Sequence, residues 1–496
     1  MVSTTPRLDR AAGVRFDGTV GAAAQPGPPT VDPWLWSATF GETWLAGFDP
    51  AGVGARQREQ RFASLLRAAR DSPLYRERLS GVRVSALADL RAIEPVDKAE
   101  LMQRFDAWAT DRGVTRAAVE RFLQGTNHLA EAFLGKYLVW TSSGTSGTPG
   151  IFVQDMRSLA AYEALDALRL RGSPPLDVPL AAWSLGQRFA FVGATGGHFA
   201  GTVSVERLRR LTPGPSSGPL LAPAVQTFSV QAPFGELARA LQAFEPTVLI
   251  TNPSCAAALA QWRLQGRLRV RLAEVWCGGE QLSDAQRTLV RRAFGCPVRN
   301  NYGASEFFSM AWECEHGRLH LNDDWVVLEP VDRQLRPASG VAAHAVLLTH
   351  LANHVQPLLR YRLDDAIRFT GERCACGRAF PVIDVQGRSG HTLLLRRADG
   401  RDVTILPLAV ETAIEEGAGV TQFQLLCTAP DALELRFEPE AGDADRAFAC
   451  ARTALLDYLQ TQGLDAIRIV HGHRAPLRER ASGKLCRVRN APRDHH

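Results

Sequence analysis

Apolar positions recur at helical spacing along residues 59–79, and the periodicity breaks at Ser72-Pro73. The stretch DLRAIEPVDKAELMQRF predicts a turn and then a helix capped by Asp97. Residues 134–140 (LGKYLVW) are a short apolar run with a polar interruption and predict a strand. A second strand (IFVQD) follows a loop of hydroxyls and glycines, and a helix (SLAAYEALDALRL) follows that. Residues 247–252, 272–277 and 298–303 predict further short strands, each flanked by a helical stretch. This alternation predicts an α/β fold with buried sheets. Beyond residue 390 the pattern changes. Strands near 392–396, 422–427, 433–437 and 467–471 alternate with helices near 408–416 and 445–462, which predicts a small α+β domain. The boundary falls at Gly387–Gly390. Residues 1–30 carry no periodicity and read as a flexible tail, 31–387 as a large domain and 388–496 as a small one.

Of the 496 residues, 45% are hydrophobic and 22% charged, as in a soluble globular protein. The 57 basic and 52 acidic residues nearly balance, and no basic run reaches five, so nothing points to nucleic acid. No apolar run is long enough for a membrane span, and the N-terminus lacks the apolar segment of a secretory signal. Nine cysteines at this length predict a reducing cytoplasm rather than a disulfide framework. Lys98, Lys136 and Lys484 are the only lysines among many arginines. A lysine retained against that background draws attention, because a compact ammonium does what a guanidinium does not.

The richest stretch is Thr141–Gly150, TSSGTSGTPG. Glycines let successive N–H groups turn toward one anion, and hydroxyls add donors, so Ser142, Ser143, Gly144, Thr145, Ser146, Gly147 and Thr148 suit a polyphosphate. No lysine follows the glycines, so the positive charge must come from Mg²⁺ and from basic residues elsewhere. Cys374 and Cys376 are either a thiolate pair or two small buried hydrophobes. With Cys314 and His320, or with His316 in its place, they would complete a closed tetrahedral zinc site.

TSSGTSGTPG, Asn301-Tyr302-Gly303-Ala304-Ser305-Glu306, Tyr361–Asp365, Gly387-Arg388 and Ser482-Gly483-Lys484 occur in the order found in the adenylate-forming superfamily, which includes acyl-CoA synthetases, adenylation domains and luciferases. DSPLYRERL and Cys374-Ala375-Cys376-Gly377-Arg378 resemble its phenylacetate-CoA ligase branch. The resemblance spans about residues 55–490. It implies a large N-terminal domain of several sheets and helices and a small mobile C-terminal domain. It also implies that a carboxylate attacks ATP to give acyl-AMP, and that a thiol of coenzyme A or a carrier protein then displaces AMP. Under the resemblance Lys484 reaches the carboxylate and α-phosphate, Arg388 bonds ribose or phosphate near the hinge, and Glu306 holds Mg²⁺. Gly279 and Glu280 follow a strand in the adenine-contact segment. Asn301 and Gly303 belong to the nucleotide motif, Tyr302 offers a face to adenine, Ser305 donates to the α-phosphate, and Asp365 accepts from the ribose hydroxyls. Branch members carry zinc at similar Cys and His elements, which favours Cys314, His320, Cys374 and Cys376 as a structural site. Trp183, Phe191, Gly196, His198 and Asn252 fall in the acid-binding region, with a small aromatic acid as the expected substrate. Where relatives often have Gly-Arg-x-Asp-Asp, this chain has Gly387-Arg388-Ser389-Gly390-His391, with Gly390 as a pivot. Two other readings stay open: adenylation of another oxyanion, such as nitrite for diazotising an aryl amine, and a degenerate nucleotide-binding protein. A homodimer is open as well.

Overall fold

The computed structural model describes residues 27–48, 52–125, 129–142, 149–170, 186–211, 224–332, 334–338, 345–386, 393–405, 407–420, 423–437, 444–477 and 486–491. The chain begins with helices α1 (Pro33–Gly47), α2 (Val53–Ala69), α3 (Pro73–Arg78), α4 (Lys98–Gln103), α5 (Phe105–Trp108) and α6 (Arg116–Leu123). The expected break at Ser72-Pro73 is present. The Ser72 hydroxyl caps α3 by accepting from the Tyr75 N–H, and Pro73 fills the first turn, where its missing N–H is harmless. Asp97 caps α4 by accepting from the Glu100 N–H at 2.9 Å.

A hairpin of β1 (Leu138–Thr141) and β2 (Ile151–Gln154) follows. The strand expected over 134–140 starts late, because Leu134 and Gly135 have φ of 53° and 70° and turn the chain back on itself. Next come α7 (Met156–Leu165), a π-helical turn (Asp166–Leu170), β3 (Arg188–Gly193), α8 (Ala200–Leu211), β4 (Ala224–Ser229), α9 (Phe234–Phe244), β5 (Val248–Thr251), α10 (Pro253–Leu264), β6 (Glu274–Gly278), α11 (Asp284–Phe294) and β7 (Val298–Tyr302). The chain continues through β8 (Ala311–Glu313), β9 (Leu319–Leu321), β10 (Val326–Val331), β11 (Ala345–His350), β12 (Tyr361–Leu363), β13 (Ala366–Phe369) and β14 (Val382–Gln386).

Nine of these strands form one sheet in the order β13-β14-β9-β8-β7-β6-β5-β3-β4. The half from β4 to β7 is parallel; β3, β5 and β6 are short and mostly buried, whereas β4 and β7 carry polar residues and are half-buried. From β7 to β13 the pairing is antiparallel. A second, antiparallel sheet is β10-β11-β12. The small C-terminal portion has β15 (Leu393–Arg396), β16 (Asp402–Ile405), α12 (Pro407–Ala418), β17 (Phe423–Ala429), β18 (Ala432–Phe437), α13 (Ala444–Thr461), β19 (Arg468–Gly472) and β20 (Val488–Asn490). Its sheet runs β19-β18-β17-β20. The expected order of strands and helices is present, with β16 and β20 added. The boundary expected at 387–390 lies outside the described residues. Of the expected tail, Gly27–Thr30 are described, and the Pro29 carbonyl accepts from Arg207 Nε at 2.9 Å. Among the described residues, no helix is long and apolar enough to cross a membrane.

Candidate active site

One cleft of about 1140 Å³ opens beyond the C-terminal ends of β3, β5, β6 and β7, where α/β sheets place their ligands. Ser142, Gly279, Glu280, Asn301, Gly303, Ser305, Glu306, Asp365, Phe191 and Asn252 all line it. Residues scattered over more than 200 positions of sequence therefore share one space.

At its nucleotide-motif end, β1 leads into Ser142. The Ser142 N–H donates to the Gly150 carbonyl and the Ser142 hydroxyl accepts from the Gly150 N–H, both at 2.8 Å. The two ends of the hydroxyl and glycine loop are thus pinned together. Ser143, Gly144, Thr145, Ser146, Gly147 and Thr148 lie outside the described residues, as do Trp183, Arg388, Gly390 and Lys484. Cys486 and Arg487, close in sequence to Lys484, line the cleft.

Beyond β7 the chain must pass close to itself. A Cβ on Gly303 would overlap the Phe308 carbonyl, so only glycine fits there. Ser309 Oγ donates to Asn301 Oδ1 at 2.9 Å, and Trp140 Nε1 donates to the Ser305 carbonyl at 2.7 Å. Glu306 is 6% exposed and accepts from Tyr361 Oη at 2.8 Å. Burial raises its pKa, and the Tyr361 hydroxyl and the charge of Lys98 oppose that rise. Tyr302 Oη donates to Asp365 Oδ2 at 3.1 Å, and Asp365 lines the cleft.

Glu280 follows Gly279, whose φ of 79° turns the chain at the end of β6. Its carboxyl accepts from Asn252 Nδ2, from the Ser254 N–H at 3.0 Å and from Ser254 Oγ at 3.0 Å. It therefore closes the N-terminus of α10 and holds Asn252 in the cleft wall. Desolvation pushes the Glu280 pKa up to about 7 despite those donors, and Glu411 on α12 adds to the rise. Phe191 lines the cleft from β3. Gly196 lies under the Glu416 carboxylate of α12. His198 is not among the cleft-lining residues; its carbonyl accepts from the Thr141 N–H at 2.7 Å.

Cys314, His320, Cys374 and Cys376 converge behind this cleft, with their ligand atoms all within 4.8 Å of one another. Cys314 Sγ lies 3.6 Å from Cys374 Sγ, and Cys376 Sγ lies 3.3 Å from His320 Nε2. His320 is buried, and its Nδ1 sits 3.0 Å from the Phe380 carbonyl, a partner that turns Nε2 toward the sulfurs. Three sulfurs and one imidazole at these separations match the donor set of a closed zinc site. His316, the competing ligand, is exposed and outside the cluster.

No family model matches the chain. Protein CapK of Staphylococcus aureus is 26% identical over 134 residues, a stretch that spans 27% of this chain and 28% of CapK. Among solved structures, 2-hydroxyisobutyryl-CoA ligase with 2-HIB-AMP and CoA in the thioesterification state superposes with a TM-score of 0.54. It is 19% identical, over 90% of this chain and 91% of that one. The same ligase in its postadenylation state with 2-HIB-AMP gives a TM-score of 0.50 at 19% identity, over 96% and 95%. The chain has the fold of an adenylate-forming ligase. In such a fold, the large N-terminal portion carries β1–β14 here and the smaller C-terminal portion carries β15–β20.

Several cleft residues of this ligase fold were not singled out from sequence for the site. Lys98, at the start of α4, lines the cleft and acts electrostatically on Glu306 and on Glu415 of α12. The scarcity of lysine was a signal, but nothing local placed it here. Tyr361 belongs to the Tyr361–Asp365 motif, in which the resemblance implies a role only for Asp365. Arg487 pairs with Glu415 at 2.5 Å and Glu411 at 3.3 Å, joining the residue before β20 to α12 within the cleft lining. Trp36 reaches the cleft from α1.

Proposed function

We propose that this chain uses ATP to activate a carboxylic acid as acyl-AMP and then passes the acyl group to a thiol, as a ligase of the phenylacetate-CoA ligase kind. The observation that carries the reading is the convergence of Ser142, Ser305, Glu306 and Asp365 on one cleft that Cys486 and Arg487 approach from the small portion. In the first step a carboxylate oxygen bonds to the α-phosphorus and the α–β phosphoanhydride breaks, releasing pyrophosphate. In the second, a thiol sulfur bonds to the acyl carbon and AMP leaves, with the thiol proton passing to solvent.

Such chemistry rests on positioning and on charge held ready for the transition state. The hydroxyl and glycine loop, 142–148, holds the β- and γ-phosphates, with Mg²⁺ at Glu306. Gly279, Tyr302 and Asp365 fix adenine and ribose, while Ser305 and Arg388 contact phosphate or ribose oxygens. Lys484 neutralises the charge that builds between carboxylate and α-phosphate. The cleft wall at Phe191 and Asn252 takes an acid with a flat apolar body, an aromatic acid. The acceptor is coenzyme A or a carrier protein. Zinc at Cys314, His320, Cys374 and Cys376 is structural: it ties the segment after Glu306 to the segment after Asp365 and supplies no chemistry.

The test is a pyrophosphate-release screen over aromatic acids, with and without coenzyme A. Release that depends on an acid and ATP supports the proposal. Release that depends instead on nitrite and an aryl amine would replace it.

A further inference from the structure

The apolar part of the cleft is a slot with regular walls. One wall is formed by Leu159 and Glu163 of α7 with Asp166, Ala167 and Leu170 of the π-helical turn. A second wall is one face of α8: Gly201, Ser204, Val205, Leu208 and Leu211. Phe189, Ile250 and Trp276 from β3, β5 and β6 form the floor. The α8 wall is three turns long, roughly 16 Å at 1.5 Å per residue. An acid with one ring would fill only its inner end.

Trp36 of α1 also lines this space. It stacks on Phe40 with ring centroids 5.0 Å apart and is 36% exposed. Leu208 and Leu211, on the α8 wall, are 41% and 38% exposed. Large apolar side chains that the described residues leave partly exposed along one cleft are surface that a ligand would remove from water. An ion pair ties these walls together: Arg207 Nη1 sits 2.6 Å from Glu163 Oε1 and its Nε donates to the Pro29 carbonyl, while its buried Nη2 has no hydrogen-bond partner among the described residues.

The helix bearing Trp36 is fixed. Asp32 caps it, accepting from the N–H groups of Trp34 and Leu35 at 3.0 Å. Glu42 accepts from Arg61 Nη2 at 2.8 Å, and Thr43 Oγ1 accepts from Trp325 Nε1 at 3.0 Å. Ala46 packs on Trp312 and Phe380, beside the Cys and His cluster. The π-helical turn is bound to the same body through Arg169, which reaches both oxygens of Asp324 at 2.7 Å and stacks over Phe380. A π-helical turn at a ligand wall is a frequent functional device, and here it lets Arg169 face inward while Leu170 faces the slot.

We propose that α1 forms the far wall of the acid-binding slot and that Trp36 selects acids whose apolar body extends past one ring, as in linked or fused aryl acids. The inference rests on the carboxylate-activating reading above and names its substrate class. It replaces a small aromatic acid with an extended one.

Two measurements test it. Acid-dependent pyrophosphate release is compared for benzoate, 2-naphthoate and biphenyl-4-carboxylate in wild type, Trp36→Ala, Trp36→Phe and Trp34→Ala. Trp34 is 85% exposed on the same helix and serves as the control. Wild type should favour biphenyl-4-carboxylate over benzoate. Trp36→Ala should lower kcat/KM for biphenyl-4-carboxylate about tenfold, mainly through KM, and lower that for benzoate far less. Trp36→Phe should recover most of the loss, and Trp34→Ala should match wild type. A preference for benzoate, or an equal effect of Trp36→Ala on all three acids, overturns the inference. Calorimetric binding of biphenyl-4-carboxylate decides the wall without turnover. A Kd weakened about tenfold in Trp36→Ala upholds it, and an unchanged Kd or no binding to wild type overturns it. Absence of pyrophosphate release with every acid would count against the activation reading alone.

Discussion

Glu280→Gln isolates one buried charge whose cost the structure makes explicit. The carboxyl takes three donors, from Asn252 and Ser254, yet desolvation outweighs them and lifts its pKa from 4.5 to about 7. A carboxyl with a raised folded pKa keeps its proton in the native state after the unfolded chain has lost it. Stability therefore falls as pH rises through the window from 4.5 to 7 and levels off above it. At 1.36 kcal/mol per unit the ceiling is about 3 kcal/mol. Part of the side chain faces the open cleft, so water screening brings the expected change to about 1–2 kcal/mol. Glutamine keeps an acceptor for the Ser254 N–H and never ionises. Urea unfolding followed by tryptophan fluorescence at pH 5, 6, 7 and 8 should show wild type losing about 1–2 kcal/mol across the series. The variant should lose correspondingly less and be the more stable protein at pH 8. Parallel profiles in the two proteins, or a variant that is weaker at every pH, would refute the reasoning.

Metal analysis of protein purified without an affinity metal should find about one zinc per chain, and Cys374→Ser should lower zinc content and melting temperature before it affects nucleotide binding; a zinc-free, stable, active preparation would remove the site. Glu306→Gln should cut adenylation by about a hundredfold or more while leaving the melting temperature unchanged or higher, because it removes a buried ionisable group and the proposed Mg²⁺ ligand together. Pyrophosphate release at varied Mg²⁺, with a thermal melt, checks both halves.

Elements governed by local chemistry could be read from sequence. Ser72-Pro73 and Asp97 are caps whose partners lie three residues away, so no tertiary knowledge was needed. The onset of β1 was misplaced because the left-handed turn at Leu134-Gly135 sits inside an apolar run that otherwise suits a strand. The π-helical turn was hidden for a different reason. Asp166–Leu170 continues the helical pattern, and its register is set by Arg169 reaching Asp324, 155 positions away. Short β20 forms by parallel pairing with β17, a contact that three residues cannot announce. The Cys and His set was visible because few residue types ligate zinc, whereas the choice between His316 and His320 required the fold. Trp36 gave no signal. An aromatic on a helix reads as core, and only the position of α1 against the slot shows otherwise.

The central claim is carboxylate activation by ATP. Its most direct measurement is pyrophosphate release from ATP and Mg²⁺ with an aryl acid, in wild type and in Lys484→Ala. The account predicts release that requires the acid, an acyl-AMP product that coenzyme A or a carrier thiol consumes, and a loss of several orders of magnitude in the variant with little change in ATP affinity. Nucleotide binding without acid-dependent release in wild type, or near-normal release in Lys484→Ala, would contradict it.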